Sequence, residues 1–92
     1  MAKSFKLTVQ TAEGILLEGD AEYCRLPTAE GSLGVLAFHA PMLCALTKGT
    51  LFFRMEDGSE KTVAVSGGVA NVRYNTVTIL SDRAKLVETL SP

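Results

Sequence analysis

Apolar and polar side chains alternate at a period of two along most of this chain. Phe5, Leu7 and Val9 alternate with Lys6, Thr8 and Gln10, so a strand here has one dry face and one wet face. Residues 15–18, 21–26, 50–56, 61–66, 69–73 and 76–80 continue the reading. The alternation is less clean in 21–26. The run Leu51, Phe52, Phe53, Met55 reads as dry on both faces for part of its length. Strands recur about every eight to ten residues, which leaves no room for crossover helices. Half-dry sheets must bury their dry faces against each other. The expectation is therefore an all-β fold, an antiparallel β-sandwich of two sheets with roughly eight to ten short strands. Leu7, Val9, Val63, Val65, Val77 and Ile79 are its expected core.

Turn chemistry punctuates these runs. Asp57-Gly58 lies between two strand patterns and signals a hairpin, and Tyr74-Asn75-Thr76 signals a second tight turn. Gly67-Gly68 interrupts continuous strand pattern and reads as a bulge or corner. Pro27 and Gly31 bracket another break, and Gly31 and Gly34 are read as turn positions with Asp57, Gly58, Gly67 and Gly68. Residues 28–41 form the longest stretch without clean alternation and hold the only histidine, His39. A long irregular loop in a small sandwich is where function is expected. Near the end, Ala84, Leu86, Val87 and Leu90 fit helix and strand equally well. Residues 1–92 read as a single domain. At this size a domain buries only roughly 64% of its extended surface, so a partner would help to stabilise it.

Composition removes several function classes. Nine basic residues face ten acidic ones, for a net charge of −1, and no basic patch points to nucleic acid. No apolar run approaches the ~20 residues of a membrane helix, so no direct membrane insertion is expected. Met1-Ala2-Lys3-Ser4 lacks the apolar stretch of a signal peptide, which suggests a cytosolic or mature chain. Cys24 and Cys44 are too few for a secreted disulfide framework and read as reduced packing residues. His39 has no partners at metal-binding spacing, so neither a metal nor a cofactor is expected. Cys24 and His39 could pair as nucleophile and base, but no third orienting group is suggested. Gly67-Gly68 lacks the following Lys-Ser/Thr of a phosphate loop. Glu30, Glu56 and the pair Asp82-Arg83 read as solvated charges beside turns.

The stretch from Glu30 through Leu43, EGSLGVLAFHAPML, resembles the signature of the epsilon subunit of F-type ATP synthases, which runs E-G-x-L-G, a spacer, then G-H-A-P-L-L. Three further segments match in the same order. They are residues 5–13 (FKLTVQTAE), 66–72 (SGGVANV) and 75–82 (NTVTILSD). The resemblance covers residues 5 to about 84. It implies a non-catalytic rotor subunit in the central stalk, linking the gamma subunit to the c-type ring and coupling proton flow to ATP synthesis. It places Glu30, Ser32, Leu33, Phe38, His39, Pro41 and Met42 at the partner-binding surface. The location it implies is the cytoplasmic face of the bacterial inner membrane, or alternatively the stromal face of the chloroplast thylakoid. Where the family has Pro-Gly before His-Ala-Pro, this chain has Ala37-Phe38, so Phe38 implies a different turn or a new apolar contact. Ser32 stands where the family often has an acid linked to ring contact. The resemblance also implies a C-terminal helical hairpin, which would begin in the short tail 85–92. Asp82 directly precedes Arg83, so the nucleotide motif of some members does not transfer and no nucleotide is expected. If 92 residues is the natural length, the chain is expected to couple without inhibiting hydrolysis. Two other readings stay open, a small-ligand-binding β-sandwich and a cysteine-dependent enzyme. A deep apolar pocket would favour the first and an activated Cys24 thiol the second.

Overall fold

A computed structural model describes residues 3–91. Met1, Ala2 and Pro92 lie outside the described residues, and with them part of the N-terminal reading and the last residue of the 85–92 tail. Nine strands follow in chain order: β1 (Phe5–Thr11), β2 (Gly14–Thr28), β3 (Gly31–Leu36), β4 (Met42–Leu46), β5 (Gly49–Met55), β6 (Glu60–Val65), β7 (Gly68–Arg73), β8 (Thr76–Leu80) and β9 (Ala84–Leu90). The described residues contain no helix.

The strand β2 organises the sandwich. Its first half, Gly14 to Ala21, pairs with β1, and its second half pairs with β3 and β5. One continuous ladder thus runs β4-β7-β8-β1-β2-β5-β6-β9, with β3 beside the second half of β2. Folding that ladder over at β2 gives one layer of β4, β7, β8, β1 and early β2, and another of β3, late β2, β5, β6 and β9. A register shift between Ala21 and Tyr23 marks the fold-over. Such a bulge bends a strand and moves its inward side chains by one position. Ala21, Cys24 and Leu26 are accordingly the buried residues, which explains the unclean alternation of 21–26.

All ladders are antiparallel except β1 with β8, which is parallel. The antiparallel expectation is corrected at this pair. A parallel pair needs a long connection, and here strands β2 to β7 supply it.

The inward faces fill one hydrophobic cluster. Leu7, Val9, Val63, Val65, Val77 and Ile79 are buried in it, with Leu26, Leu51 and Phe53. Within β5 only one face is dry. Leu51, Phe53 and Met55 point inward, while Phe52 lies on the outer side under Tyr23 and the Arg25 guanidinium, 5.0 Å from its ring centroid. The Asp57-Gly58 hairpin joins β5 to β6, with Gly58 at φ 89°. Tyr74 and Asn75 form the two-residue loop between β7 and β8, both in the left-handed region at φ 52° and 55° as a type I′ hairpin requires. Gly67-Gly68 turns the chain from one layer into the other, and a Cβ on Gly68 would overlap the Leu80 carbonyl oxygen.

Residues 28–41 are not one loop. They contain β3, flanked by a two-residue tip at Ala29-Glu30 and a crossover at residues 37–41. Gly34 is therefore a strand residue and not a turn. Its missing side chain makes room for the Tyr23 ring, whose nearest atoms would lie 3.2 Å from a Cβ there. The Ala84–Leu90 segment is strand, paired to β6 as an edge. A register shift between Thr62 and Val63 sits opposite Val87, and such bulges discourage edge-to-edge pairing.

Candidate functional site

The strand β3 spans about 17 Å and separates the expected binding residues into two groups. Glu30 and Ser32 are exposed at its start. The Thr28 hydroxyl donates to the Gly31 carbonyl at 2.6 Å and accepts from the Glu30 N–H at 3.3 Å, so this tip ties itself. Beside it, the Thr47 N–H donates to the Pro27 carbonyl at 3.0 Å. Leu33 sits half-buried within β3, opposite Leu26. Phe38, His39, Pro41 and Met42 lie beyond the far end of β3, in and just after the crossover.

The crossover is built differently from the tip. Phe38 holds φ 63°, a left-handed conformation costly for a bulky residue. Its ring is 68% exposed, with the Lys3 ammonium 5.9 Å from the ring centroid. Phe38 thus takes the turn that glycine would favour and turns an aromatic side chain outward. The His39 N–H donates to the Leu36 carbonyl at 3.3 Å, and its Nδ1 lies 2.7 Å from the Ala40 carbonyl oxygen. Both bonds are local, so the imidazole is held as part of the turn.

Around this end the sequence reading missed three large apolar side chains. Leu36, Leu43 and Tyr74 are 63%, 72% and 84% exposed. Pro41, Met42, Leu43 and Tyr74 line one shallow trough of about 470 Å³, open to solvent. Exposed apolar area gathered in this way marks an interaction surface. Leu43 was hidden because β4 went unread as a strand. Tyr74 had a signal, since a tyrosine at a left-handed turn position projects away from both strands.

The structure offers little to the two competing readings. The trough is open, unlike the enclosed pocket of a small-ligand binder. Cys24 is fully buried, and burial, reinforced by Cys44, pushes its thiol up to about 12. An activated nucleophile needs the opposite shift. Burial also raises the Cys44 thiol. Among the described residues no group of three or more His, Cys, Asp or Glu could hold a metal ion, and no helix is long and apolar enough to cross a membrane.

Comparison with known proteins decides the family. The family model described as ATP synthase, Delta/Epsilon chain, beta-sandwich domain matches residues 4–87. The chain belongs to this family. It is 40% identical over 76 residues to an ATP synthase epsilon chain from Delftia acidovorans, covering 83% of this chain and 55% of that one. It is 39% identical over 82 residues to an ATP synthase epsilon chain from an Exiguobacterium species, covering 89% and 60%. This chain therefore spans little more than half the length of these relatives. In solved structures it superposes on a chain of the Euglena gracilis mitochondrial ATP synthase (OSCP/F1/c-ring) with TM-score 0.84 at 28% identity, covering 94% of this chain and 54% of that one. A chain of the Tetrahymena thermophila mitochondrial ATP synthase central stalk and c-ring shares the fold, with TM-score 0.75 at 22% identity, covering 92% and 69%.

Proposed function

We propose that this β-sandwich serves as a non-catalytic central-stalk part of a proton-translocating F-type ATP synthase, holding the gamma subunit to the c-type ring. The observation that carries the reading is the family match over residues 4–87, joined to an apolar end the fold leaves uncovered. A rotor part must be stiff and must stay attached. Ladder hydrogen bonds and a close-packed interior supply stiffness. Leu36, Phe38, Leu43 and Tyr74 supply exposed apolar anchors beside backbone polar groups, the composition of an interface core, and Met42 lies half-buried beneath them against the core.

The binding roles of Leu33, Phe38, His39, Pro41 and Met42 belong to this proposal, with Glu30 and Ser32 as a second contact at the opposite end of β3. We read residues 1–92 as one domain, a reading supported by the single hydrophobic cluster. The proposed location is the cytoplasmic face of a bacterial inner membrane, with the thylakoid stromal face as the alternative. The test is reconstitution into an ATP synthase depleted of its epsilon subunit. Restored proton coupling with little loss of hydrolysis is expected. Failure to restore coupling, while the chain remains folded, contradicts the proposal.

A further inference from the structure

Asn75 lies 37 residues from Phe38 in sequence, yet its side chain reaches the crossover. Its Oδ1 accepts the Phe38 N–H at 2.7 Å. Its Nδ2 donates to the Ser4 carbonyl at 2.8 Å, and its own carbonyl accepts the Lys6 N–H at 3.1 Å. One residue therefore joins three pieces of chain: the start of β1, the β7–β8 turn and the β3–β4 crossover. The bond to Phe38 falls on the residue whose left-handed backbone most needs support. The Phe38 ring and the Lys3 ammonium, which lie together on the surface, hang from the two segments that the Asn75 amide grips.

We infer that Asn75 is a positioning residue, which clamps residues 37–41 in the conformation that docks on the rotor. The inference rests on the docking reading of the crossover given above. Asparagine is at home in this left-handed turn position, but its two side-chain bonds reach beyond the turn to Ser4 and Phe38. Glycine would keep the turn and delete both side-chain bonds. Aspartate would keep the acceptor for Phe38 N–H and set a carboxylate oxygen against the Ser4 carbonyl in place of the donor.

The experiment compares the full chain with Asn75→Gly, Asn75→Asp and a His39→Ala, Met42→Ala double variant. It reads amide hydrogen exchange at Phe38, melting temperature, and affinity for a gamma–ring subcomplex. Asn75→Gly is expected to speed Phe38 exchange on the order of tenfold, to weaken docking several-fold and to lower the melting temperature by a few degrees while the chain stays folded. Asn75→Asp is expected to keep Phe38 exchange slower than in Asn75→Gly, with an affinity between that of Asn75→Gly and the unmodified chain. Unchanged Phe38 exchange in Asn75→Gly overturns the clamp. Faster exchange with full affinity, while the double variant loses affinity, overturns the positioning role and leaves the docking reading intact. Full affinity in every variant overturns the docking reading and the positioning role with it.

Discussion

The two ends of β3 solve the same problem, reversing the chain, by different means. At the β2–β3 tip the bonds are local, and Thr28 alone satisfies Glu30 and Gly31. At the β3–β4 crossover a bulky residue takes a left-handed conformation, and the bond that holds it comes from Asn75 in another hairpin. The tip exposes polar and small groups, whereas the crossover exposes the Phe38 ring beside the Lys3 ammonium. A turn that only closes a hairpin can hold itself together. The crossover instead depends on the rest of the fold, and so it is the end whose shape the whole sandwich sets.

The hardest blow to this contrast would fall on what both ends share. Phe53 is fully buried in the one hydrophobic cluster and pairs with Cys24, which in turn pairs with Val35 of β3. Phe53→Ala is expected to cost about 3–5 kcal/mol in denaturant unfolding. Amide protection should be lost at both ends together, and survival of either one would divide the core that the contrast assumes to be single.

Cys24 gives a second test from the same position, because it faces inward opposite Val35 of β3. The folded chain holds its thiol proton up to about 12, above the ordinary 9.0. Stability is therefore expected to fall as pH rises through 9 toward 12, by at most about 1.4 kcal/mol per unit. Cys24→Val should remove that part of the alkaline slope in unfolding measured across this window.

At the tip, Thr28→Val deletes the local bonds. The expected loss is about 0.5–1 kcal/mol in thermal or chemical unfolding, with crossover amides unaffected. The smallest effect belongs to the Asp57 hairpin. The Ser59 hydroxyl and N–H hold its carboxyl below the ordinary range, at 2.6 and 2.8 Å. That contribution is present above the ordinary carboxylate pKa and is lost as pH falls through the lowered folded value. Asp57→Asn should flatten the acid limb of a melting-temperature profile slightly.

Where one face is dry and the turn is short, the sequence was enough. Leu7, Val9, Val77 and Ile79 are buried as their alternation requires, and Asp57-Gly58 closes its hairpin. Three strands escaped that reading for physical reasons. In β3 the alternation is masked by Gly31 and Gly34, and Gly34 answers to the ring of Tyr23 rather than to its own neighbours. In β4 only Leu46 is fully buried, so an edge strand passes for loop. In β9 the side chains are nearly all exposed, so helix and strand periods fit equally. The outer ladder of Tyr23, Arg25, Phe52 and Arg54 was equally hidden, because it exists only once β2 and β5 pair. The motif around His39 pointed to the crossover, but its partner Asn75 lies too far along the chain for any spacing rule to join them.

Affinity for a gamma–ring subcomplex, compared between the two ends of β3, tests the central claim most directly. One variant carries Phe38→Ala, His39→Ala and Leu43→Ala, and the other carries Glu30→Ala and Ser32→Ala. The account predicts that the first loses about tenfold to a hundredfold in affinity, ~1.4–2.8 kcal/mol, with melting nearly unchanged, and that the second loses far less. Equal affinity for the first variant and the unmodified chain, or a larger loss at the tip, would contradict it.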